Sequence, residues 1–424
     1  MCRLIVPLVV LGMLAPRAAY PGEAEREAAR EAVRAHLESG EHERALETAL
    51  QSVQRTEQES GAEAVELIQP LFDLAKVQDV VGEYGAAEET YDRVISLIES
   101  AHGPYDGQLV APLSGLGDVF LSQERYEEAI EAFQRARHIW HRVDGINTLE
   151  QLEVLDQLTE GFIGANELQE ANRAQIRSFR ISEHHHGPGN LETVPAMRKL
   201  ADWFLRTGQH PNAIILYQRA VKILEREFGA DDPQLVPVLT GLATARGADG
   251  YRPGEAEEAL ERVVGIIEKT PGATLDERVA AYVNLGDWYI RTNEAQAARE
   301  MYGKAWNLLD GSEELVLRRE ELFGQPINLA FPPMPAYVPI PPTPFREIDY
   351  RELSERYVDI EFTVRDDGRV SDVKIADADA PLAHTFYVRR RMYEALYRPR
   401  LVDGEPVATP MRQRQIIPPA PATY

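Results

Sequence analysis

Seven alanines recur along this 424-residue chain at a nearly constant spacing. Five of the six steps between them are 42 residues long, and one step is 43 residues long. The seven are Ala45, Ala87, Ala129, Ala171, Ala213, Ala256 and Ala298. A fixed period of roughly 20–50 residues is typical of arrays in which each unit packs against its neighbours. The spacing therefore predicts a repeat protein.

The same types of residue surround each alanine. Leucine, small and aromatic residues stand three or four positions apart, so they lie in one apolar stripe along a helix. In the clearest unit these residues are Leu116, Gly117, Phe120, Tyr126, Ala129, Phe133 and Ala136. A later unit has Leu285, Gly286, Tyr289, Ala295, Ala298, Tyr302 and Ala305. Each unit is predicted to form two helices, which the small residues allow to approach closely.

This pattern resembles the tetratricopeptide repeat. The resemblance extends over roughly residues 24–312. The unit is longer than the family's usual length of about 34 residues, and in this respect it is similar to the repeats of kinesin light chains. The resemblance implies a mainly α fold, with a tetratricopeptide α-solenoid of about seven helix pairs over residues 23–322. It also implies a surface that binds other proteins.

Acidic residues outnumber basic ones, and the net charge is −24. The excess lies before residue 346, because residues 346–424 contain 13 Lys and Arg against 14 Asp and Glu. A surface this acidic repels phosphate backbones, so nucleic acid is an unfavourable partner.

The first 19 residues are predicted to be a signal peptide. They begin with Arg3, continue with an apolar run over residues 4–14 and end in small residues, which is typical of secretory leaders. We predict cleavage of residues 1–19, export to the periplasm and no membrane span in the mature chain. The alternative is an uncleaved leader that tethers the protein to the inner membrane, although its apolar run is shorter than the roughly 20 residues of a spanning helix.

A proline-rich segment follows the repeats. Eight prolines stand between residues 324 and 345, and they exclude a helix and favour an extended chain. We predict a linker over residues 323–345. The alternative is a docking peptide for aromatic grooves.

Residues 346–424 follow the pattern of a small α+β domain. Apolar and polar residues alternate over residues 357–364 and 370–375, with the turn Asp366-Asp367-Gly368 between them. This order predicts a β-hairpin.

A helix and a final strand are predicted after the hairpin. The helix covers residues 384–397, with Phe386 and Met392 facing inward, and it ends before a proline. A second turn, Asp403-Gly404, leads to a strand over residues 407–417.

The order of these elements resembles the C-terminal domain of the TonB family. The matching residues are Val358, Ile360, Phe362, Val364, Asp367, Gly368, Val370, Val373, Pro399, Asp403, Gly404, Pro406 and Val407. The resemblance implies recognition by strand addition, in which a peptide pairs with an exposed sheet edge. The candidate edge residues are Thr409, Met411, Arg412, Gln413 and Arg414. The two arginines favour an acidic peptide.

A second candidate surface is the concave groove of the solenoid. The resemblance implies that first helices line this groove and that the residue after each small position points into it. These positions hold Asp118, Glu160, Asp202 and Asp287, and Arg198, Arg206 and Arg291 lie nearby. We predict a groove for a basic or mixed-charge segment of a partner. The alternative is a solvated acidic face in an acidic protein.

We predict no catalytic, cofactor-binding or metal-binding residues. The single cysteine, Cys2, precedes the apolar run of the leader, and no histidine pair stands at the spacing of zinc ligands. His184-His185-His186 offers imidazole ligands for a transition metal, but we interpret it as part of a solvated loop.

Together these features predict a non-enzymatic interaction adaptor of the periplasm or cell envelope. The solenoid groove binds one protein or peptide partner, and the C-terminal domain engages an outer-membrane or periplasmic protein. The alternative is a TonB-type energy transducer for outer-membrane transport, which requires an N-terminus that stays in the inner membrane.

Overall fold

The computed structural model describes residues 22–143, 145, 147–331 and 355–418. The predicted signal peptide, 1–19, lies outside these residues. The chain divides into two compact units, Met1–Ala196 and Met197–Tyr424.

Fifteen helices precede the first strand within the described ranges. They are α1 (Glu23–Glu38), α2 (His42–Ser60), α3 (Ile68–Val80), α4 (Tyr84–His102), α5 (Val110–Ser122), α6 (Tyr126–Val143), α7 (Gln151–Gly164), α8 (Leu168–His186), α9 (Val194–Arg206), α10 (His210–Phe228), α11 (Val236–Asp249), α12 (Pro253–Lys269), α13 (Leu275–Thr292), α14 (Ala295–Leu308) and α15 (Glu313–Phe323). None of the described helices has both the length and the apolar character needed to cross a bilayer.

The seven periodic alanines all lie on even-numbered helices, from α2 to α14. Each alanine is at most 1% exposed. Since a methyl group occupies each crossing point, the helix packs closely against the odd-numbered helix before it. Such pairs include α3 with α4 and α5 with α6 in the first unit, and α13 with α14 in the second. The prediction of a mainly helical solenoid is confirmed.

Seven strands and a further helix are present among the described residues of the C-terminal region. They are β1 (Ile327–Ala330), β2 (Arg356–Val364), β3 (Val370–Ala378), α16 (Leu382–Met392), β4 (Leu396–Arg398), β5 (Arg400–Val402), β6 (Glu405–Val407) and β7 (Thr409–Ile417). The central sheet has the order β3-β2-β7, and both pairings are antiparallel. The predicted hairpin is β2 and β3, and the second Asp-Gly turn joins β5 to β6.

The helix after the hairpin is shorter than predicted, and one of its faces was predicted wrongly. It ends at Met392, because residues 396–398 form β4 instead. Thr385, Val388 and Met392 are buried toward the sheet, whereas Phe386 is 54% exposed. A helix places residues three and four apart on one face, so Phe386 lies outside the stripe that the other three residues define.

Part of the predicted linker is a strand. Residues 327–330 pair with β4, with Ile327 opposite Arg398 and Asn328 opposite Tyr397. These four residues contain no proline, so their N–H groups are available for a ladder. Residues 332–345 of the predicted linker lie outside the described residues.

The C-terminal region packs on the last helix pair of the second unit. Strand β4 contacts α13, and β6 contacts α14. Gly368, in the turn between β2 and β3, has a φ of +79°, and a Cβ there would lie 2.8 Å from Ile290 Cγ2 on α13. Glycine therefore allows both the left-handed turn and the close approach to α13.

Candidate functional site

The first unit contains an open groove of about 660 Å³ lined by the odd-numbered helices α3, α5 and α7. We call it the first-unit groove. On α5, residues 111, 114, 115 and 118 face it, whereas Leu113, Leu116 and Phe120 are buried. Helix α5 thus has two faces, one that packs in the core and one that lines the groove. The polar lining residues include Lys76 and Asp79 on α3, Asp118 on α5, and Glu153 and Gln157 on α7.

Asp118 is the central acid of this groove. Gln157 Nε2 donates to Asp118 Oδ1 at 2.8 Å and to Oδ2 at 2.9 Å. Burial raises the pKa of Asp118 to about 6; the Gln157 hydrogen bonds oppose this rise, while the charges of Asp79 and Glu153 add to it. A half-buried carboxylate with acidic neighbours gains from a bound cation, which relieves both the repulsion and part of the desolvation.

A tyrosine reaches the groove from α4, the second helix of the preceding repeat. Tyr91 on α4 is 1% exposed. Its ring passes against Gly115, where an added Cβ would lie 2.4 Å from the hydroxyl oxygen. Burial, then the charges of Asp79 and Asp118, raises the pKa of Tyr91. The neutral hydroxyl therefore faces an acidic groove and remains a hydrogen-bond donor.

The second unit repeats this combination of tyrosine and acid. Tyr217 Oη on α10 donates to Asp202 Oδ1 on α9. A Cβ at Gly241 on the next helix would lie 2.5 Å from the Tyr217 ring. Burial, followed by the hydrogen bond to Asp202, raises the pKa of Tyr217. Asp202 itself is exposed, so it presents an oriented carboxylate to solvent.

In the third pair of tyrosine and aspartate, an arginine of the same chain already binds the carboxylate. Tyr302 Oη donates to Asp287 Oδ1 at 2.8 Å. Arg398 of β4 binds the same carboxylate with two hydrogen bonds, Nε to Oδ1 at 2.8 Å and Nη2 to Oδ2 at 2.7 Å. Arg398 Nη1 also donates to the Leu322 carbonyl oxygen at 3.2 Å. An aspartate supported by tyrosine therefore binds a guanidinium in the bidentate geometry that arginine and carboxylate favour.

This arrangement involves two of the seven predicted groove residues and corrects the prediction for one of them, Asp287. Asp287 is bound by Arg398, and Arg291 Nη2 donates to the Leu329 carbonyl oxygen of β1. Asp287 is therefore not open to a partner, whereas Arg291 is exposed and its role in binding stays a prediction. The sequence contained no sign of this, because Arg398 lies 111 residues beyond Asp287.

Asp118 is half-buried, and the other four predicted groove residues are exposed. Arg198, Asp202 and Arg206 are spaced by four on α9, so they form one stripe of mixed charge. The Arg206 guanidinium lies 5.7 Å from the centre of the Trp203 ring. Glu160 is exposed on α7. Their role in binding stays a prediction.

Strand β7 is one of the two outer strands of the central sheet, and no described strand pairs with its other edge. Pro410 stands opposite Thr363 of β2. Because proline cannot donate, this pair is of the non-hydrogen-bonded type, and the two types alternate along an antiparallel ladder. The N–H groups of Arg412 and Arg414 therefore point to the open edge. Those of Thr409, Met411 and Gln413 point to β2, so these three predicted edge residues offer no N–H group to the open edge.

The two edge arginines are also engaged by acids of β2. Arg414 binds Asp359 through Nε to Oδ1 at 2.7 Å and Nη2 to Oδ2 at 2.8 Å. Arg412 Nη2 lies 3.6 Å from Asp359 Oδ2. The hydrogen bonds from Arg414 hold the pKa of Asp359 below its usual value. The predicted preference for an acidic peptide is therefore weakened, since this charge is partly neutralised within the sheet.

The histidine triplet lies in the last turn of α8 rather than in the predicted loop. His186 Nδ1 stands 2.8 Å from Glu192 Oε2. Within the described ranges, no group of three or more His, Cys, Asp or Glu side chains is placed to hold a metal ion.

Comparisons with known proteins agree with the repeat geometry. Two family models of the tetratricopeptide repeat match the chain, one over residues 80–140 and 108–184 and the other over residues 196–234. No curated protein matches the sequence significantly.

Several solved structures are similar to this chain. One is a kinesin light chain from Podosopora anserina with nearly identical TPR-like repeats, 16% identical, covering 50% of this chain and 99% of its own, with a TM-score of 0.44. Another is BtubC (BKLC) from P. vanneervenii, 18% identical, covering 55% of this chain and 93% of its own, with a TM-score of 0.42. A third is the C-terminal part of a TPR repeat-containing protein from Cytophaga hutchinsonii, 12% identical, covering 68% of this chain and 98% of its own, with a TM-score of 0.47. The helix pairs and the two family models show that the chain carries tetratricopeptide repeats in a mainly helical solenoid, followed by a small sheet-containing C-terminal region.

Proposed function

We propose that this protein is a non-enzymatic adaptor whose solenoid binds an arginine-containing segment of a partner protein. The observation that carries the proposal is the bidentate pair of Arg398 with Asp287, supported by Tyr302. The same tyrosine and acid stand together at Asp202 and Tyr217, where the carboxylate is exposed. The internal pair thus indicates which chemical group the open sites favour.

The first-unit groove supports the same preference. It has acids on all three lining helices, and Lys76 is the cation among its polar residues named above. Phe72 and Trp140 also line it and offer apolar surface for the stem of an arginine or a neighbouring side chain. A groove of this size accommodates an extended segment of a few residues.

A peptide array gives a direct test. Full-length protein is applied to pentadecapeptides that contain arginine in varied sequence contexts, and dissociation constants of the binders are measured in solution. Asp118→Asn is expected to weaken the binding of peptides in the first-unit groove, and Asp202→Asn that of peptides at Asp202, by about ten-fold or more, since a charge-assisted hydrogen bond contributes about 1.5–3 kcal/mol. Glu89→Gln removes a charge from an exposed position on α4 and is the matched control. Equal losses in all three variants would contradict the groove proposal.

Binding in the first-unit groove is expected to strengthen as the pH rises. The pKa of Asp118 is about 6 in the free protein, and a bound guanidinium favours the ionised carboxylate. Affinity for an arginine peptide without titratable groups should therefore rise by about ten-fold between pH 5 and pH 7. Titrations of wild type and Asp118→Asn across this range check the expectation. The proposal fails at this site if the variant retains the wild-type dependence on pH.

We further propose that the C-terminal region binds a second protein by strand addition at β7, as its resemblance to the TonB family implies. The open edge of β7 and its outward N–H groups at Arg412 and Arg414 support this. The resemblance and the predicted leader also support a periplasmic or cell-envelope location and partners among outer-membrane or periplasmic proteins.

The edge is tested by a proline at position 412. Arg412→Pro removes one outward donor but leaves the ladder to β2 intact, whereas Arg412→Ala removes only the charge. With an array of extended valine- and threonine-rich peptides as the probe, we expect Arg412→Pro to lose the binders and Arg412→Ala to keep them. Retention by both variants would rule out main-chain pairing at this edge.

A TonB-type energy transducer is the second candidate function, and the resemblance of the C-terminal region supports it. The two functions differ at the N-terminus. The mass of the mature chain, measured from soluble and membrane fractions, separates them. A start near Tyr20 in the soluble fraction favours the adaptor, and an intact Met1 in the membrane fraction favours the transducer.

A further inference from the structure

The even-numbered helices of neighbouring repeats are joined by a recurring ion pair. In the first unit, Arg93 Nη2 on α4 lies 2.5 Å from Glu57 Oε1 on α2, and Arg135 on α6 pairs with Glu99 on α4. In the second unit, Arg262 pairs with Glu225, and Lys304 with Glu268. The acid precedes the base by 36 or 37 residues in each case. The position is thus a regular element of the repeat.

We call each of these ion-pair positions a rung. The rung between α6 and α8 has no glutamate at the acidic position. At the position of the glutamate stands His141, whose Nε2 lies 3.3 Å from Arg177 Nη2. Burial lowers the pKa of His141, and the charges of Arg177, Arg137 and His138 lower it further, whereas a hydrogen bond with Gln151 opposes the shift. An imidazole therefore stands at this rung where the other rungs have a carboxylate.

Three arginines besides Arg177 line the same part of the surface. Arg137 of α6 and Arg173, Arg177 and Arg180 of α8 line a pocket of about 570 Å³, which we call the arginine pocket. The three residues of α8 are spaced by four and three, so they share one face. Glu170 also lines the pocket, and its carboxylate pairs with Arg173.

Burial and a neighbouring positive charge both act on Arg137. Its pKa is lowered, first by burial and then by the positive charge of Arg177. Like charges in a half-buried pocket repel one another, and an oxyanion bound between them reverses the sign of these interactions. In a chain with a net charge of −24, such a local reversal of charge is not an effect of composition.

We propose that the arginine pocket binds a phosphate monoester dianion. Planar guanidinium groups match phosphate oxygens with two parallel hydrogen bonds. The pocket volume is that of a small-molecule site, and Phe162 and Ile176 supply apolar lining for the body that carries the phosphate. The ester is either a small molecule or a phosphorylated side chain, and both present the same group. The four arginines lie on the even-numbered helices α6 and α8, and the pocket shares no lining residue with the first-unit groove.

The test introduces a carboxylate at position 141. Full-length protein is titrated calorimetrically with inorganic phosphate, phenyl phosphate and a phosphotyrosine hexapeptide at constant ionic strength. We expect phenyl phosphate or the phosphopeptide to bind more tightly than inorganic phosphate. His141→Glu should weaken binding by at least about ten-fold, because it introduces the glutamate that other rungs contain, and such a residue is compatible with the fold. Arg137→Gln should weaken binding to a similar extent.

Two control variants make the outcome specific. His141→Gln changes the side chain without adding charge and should retain binding. His102→Glu adds a carboxylate at an exposed position on α4 and should also retain binding. Tighter binding of the hexapeptide identifies a phosphorylated side chain as the source, and tighter binding of phenyl phosphate identifies a small ester. The proposal is overturned if none of the three probes binds, or if His141→Glu binds them as the wild type does.

Discussion

Arg398→Ala is expected to lower the free energy of unfolding of the second unit by about 3–5 kcal/mol. The Arg398 and Asp287 side chains are only 9% and 18% exposed. Removing the guanidinium leaves the Asp287 carboxylate buried without its cation, and it also removes the hydrogen bond to the Leu322 carbonyl oxygen. Urea unfolding of the full chain, with hydrogen exchange resolved over α13 to β4, measures the loss.

Two controls separate this buried pair from contacts in general. Arg299→Ala breaks an ion pair with Glu405 that joins the same helix pair to the same C-terminal region, but its side chains are 49% and 55% exposed. This variant should cost at most about 1 kcal/mol. The double variant Asp287→Asn with Arg398→Met should recover much of the stability, since it leaves no unpaired charge. If Arg398→Ala costs no more than Arg299→Ala, the pair does not hold the two parts together.

Phe323→Ala is expected to destabilise the second unit by about 3–5 kcal/mol. Phe323 is the last residue of α15 and is fully buried. Its ring packs against Tyr302 at 5.8 Å and Trp306 at 6.1 Å between centroids, and the Arg398 guanidinium lies 5.9 Å from its centre. Truncation therefore opens a cavity beside the buried ion pair.

Leu317→Ala on the same helix is the matched control for Phe323. Leu317 is 62% exposed, so its truncation should change stability by no more than about 0.5 kcal/mol. Thermal and urea unfolding of both variants are compared with the wild type. Equal effects of the two substitutions would contradict the packing described at the end of α15.

The periodic part of the fold could be predicted because each unit repeats the same local packing problem. A buried alanine every 42 residues reports a close helix crossing, and all seven are buried as such crossings require. In three of the repeats, a tyrosine that belongs to the candidate site stands four positions after this alanine. Tyr91, Tyr217 and Tyr302 occur there, and each stands against a glycine. That coincidence is a signal in the sequence from which these tyrosines could have been found.

The contacts of the C-terminal region could not be predicted from local pattern. Strand β1 lies in a segment dominated by prolines, and it forms only because β4, about 70 residues later, supplies a partner. Asp287 looks like its repeat equivalents in sequence, yet Arg398 covers it. Likewise, the sequence pattern gives Arg412 and Arg414 no acidic partner, whereas in the structure both lie beside Asp359 of β2. Each case depends on pairing between distant segments, which no periodicity encodes.

The same chemistry would thus serve stability and recognition in this protein. One aspartate with its tyrosine fixes the C-terminal region through an arginine, and the exposed equivalent at Asp202 offers the same arrangement to a partner. Asp118 offers a carboxylate held by Gln157 instead.

A double-mutant cycle between Asp118 and one arginine of the tightest array peptide tests the central claim most directly. The cycle combines the Asp118→Asn variant of the protein with a peptide in which citrulline, a neutral isostere, replaces that arginine. Our account predicts a coupling free energy of at least about 1.5 kcal/mol for one peptide arginine. Coupling below about 0.3 kcal/mol for every arginine of the peptide, which is the range of independent sites, would contradict it.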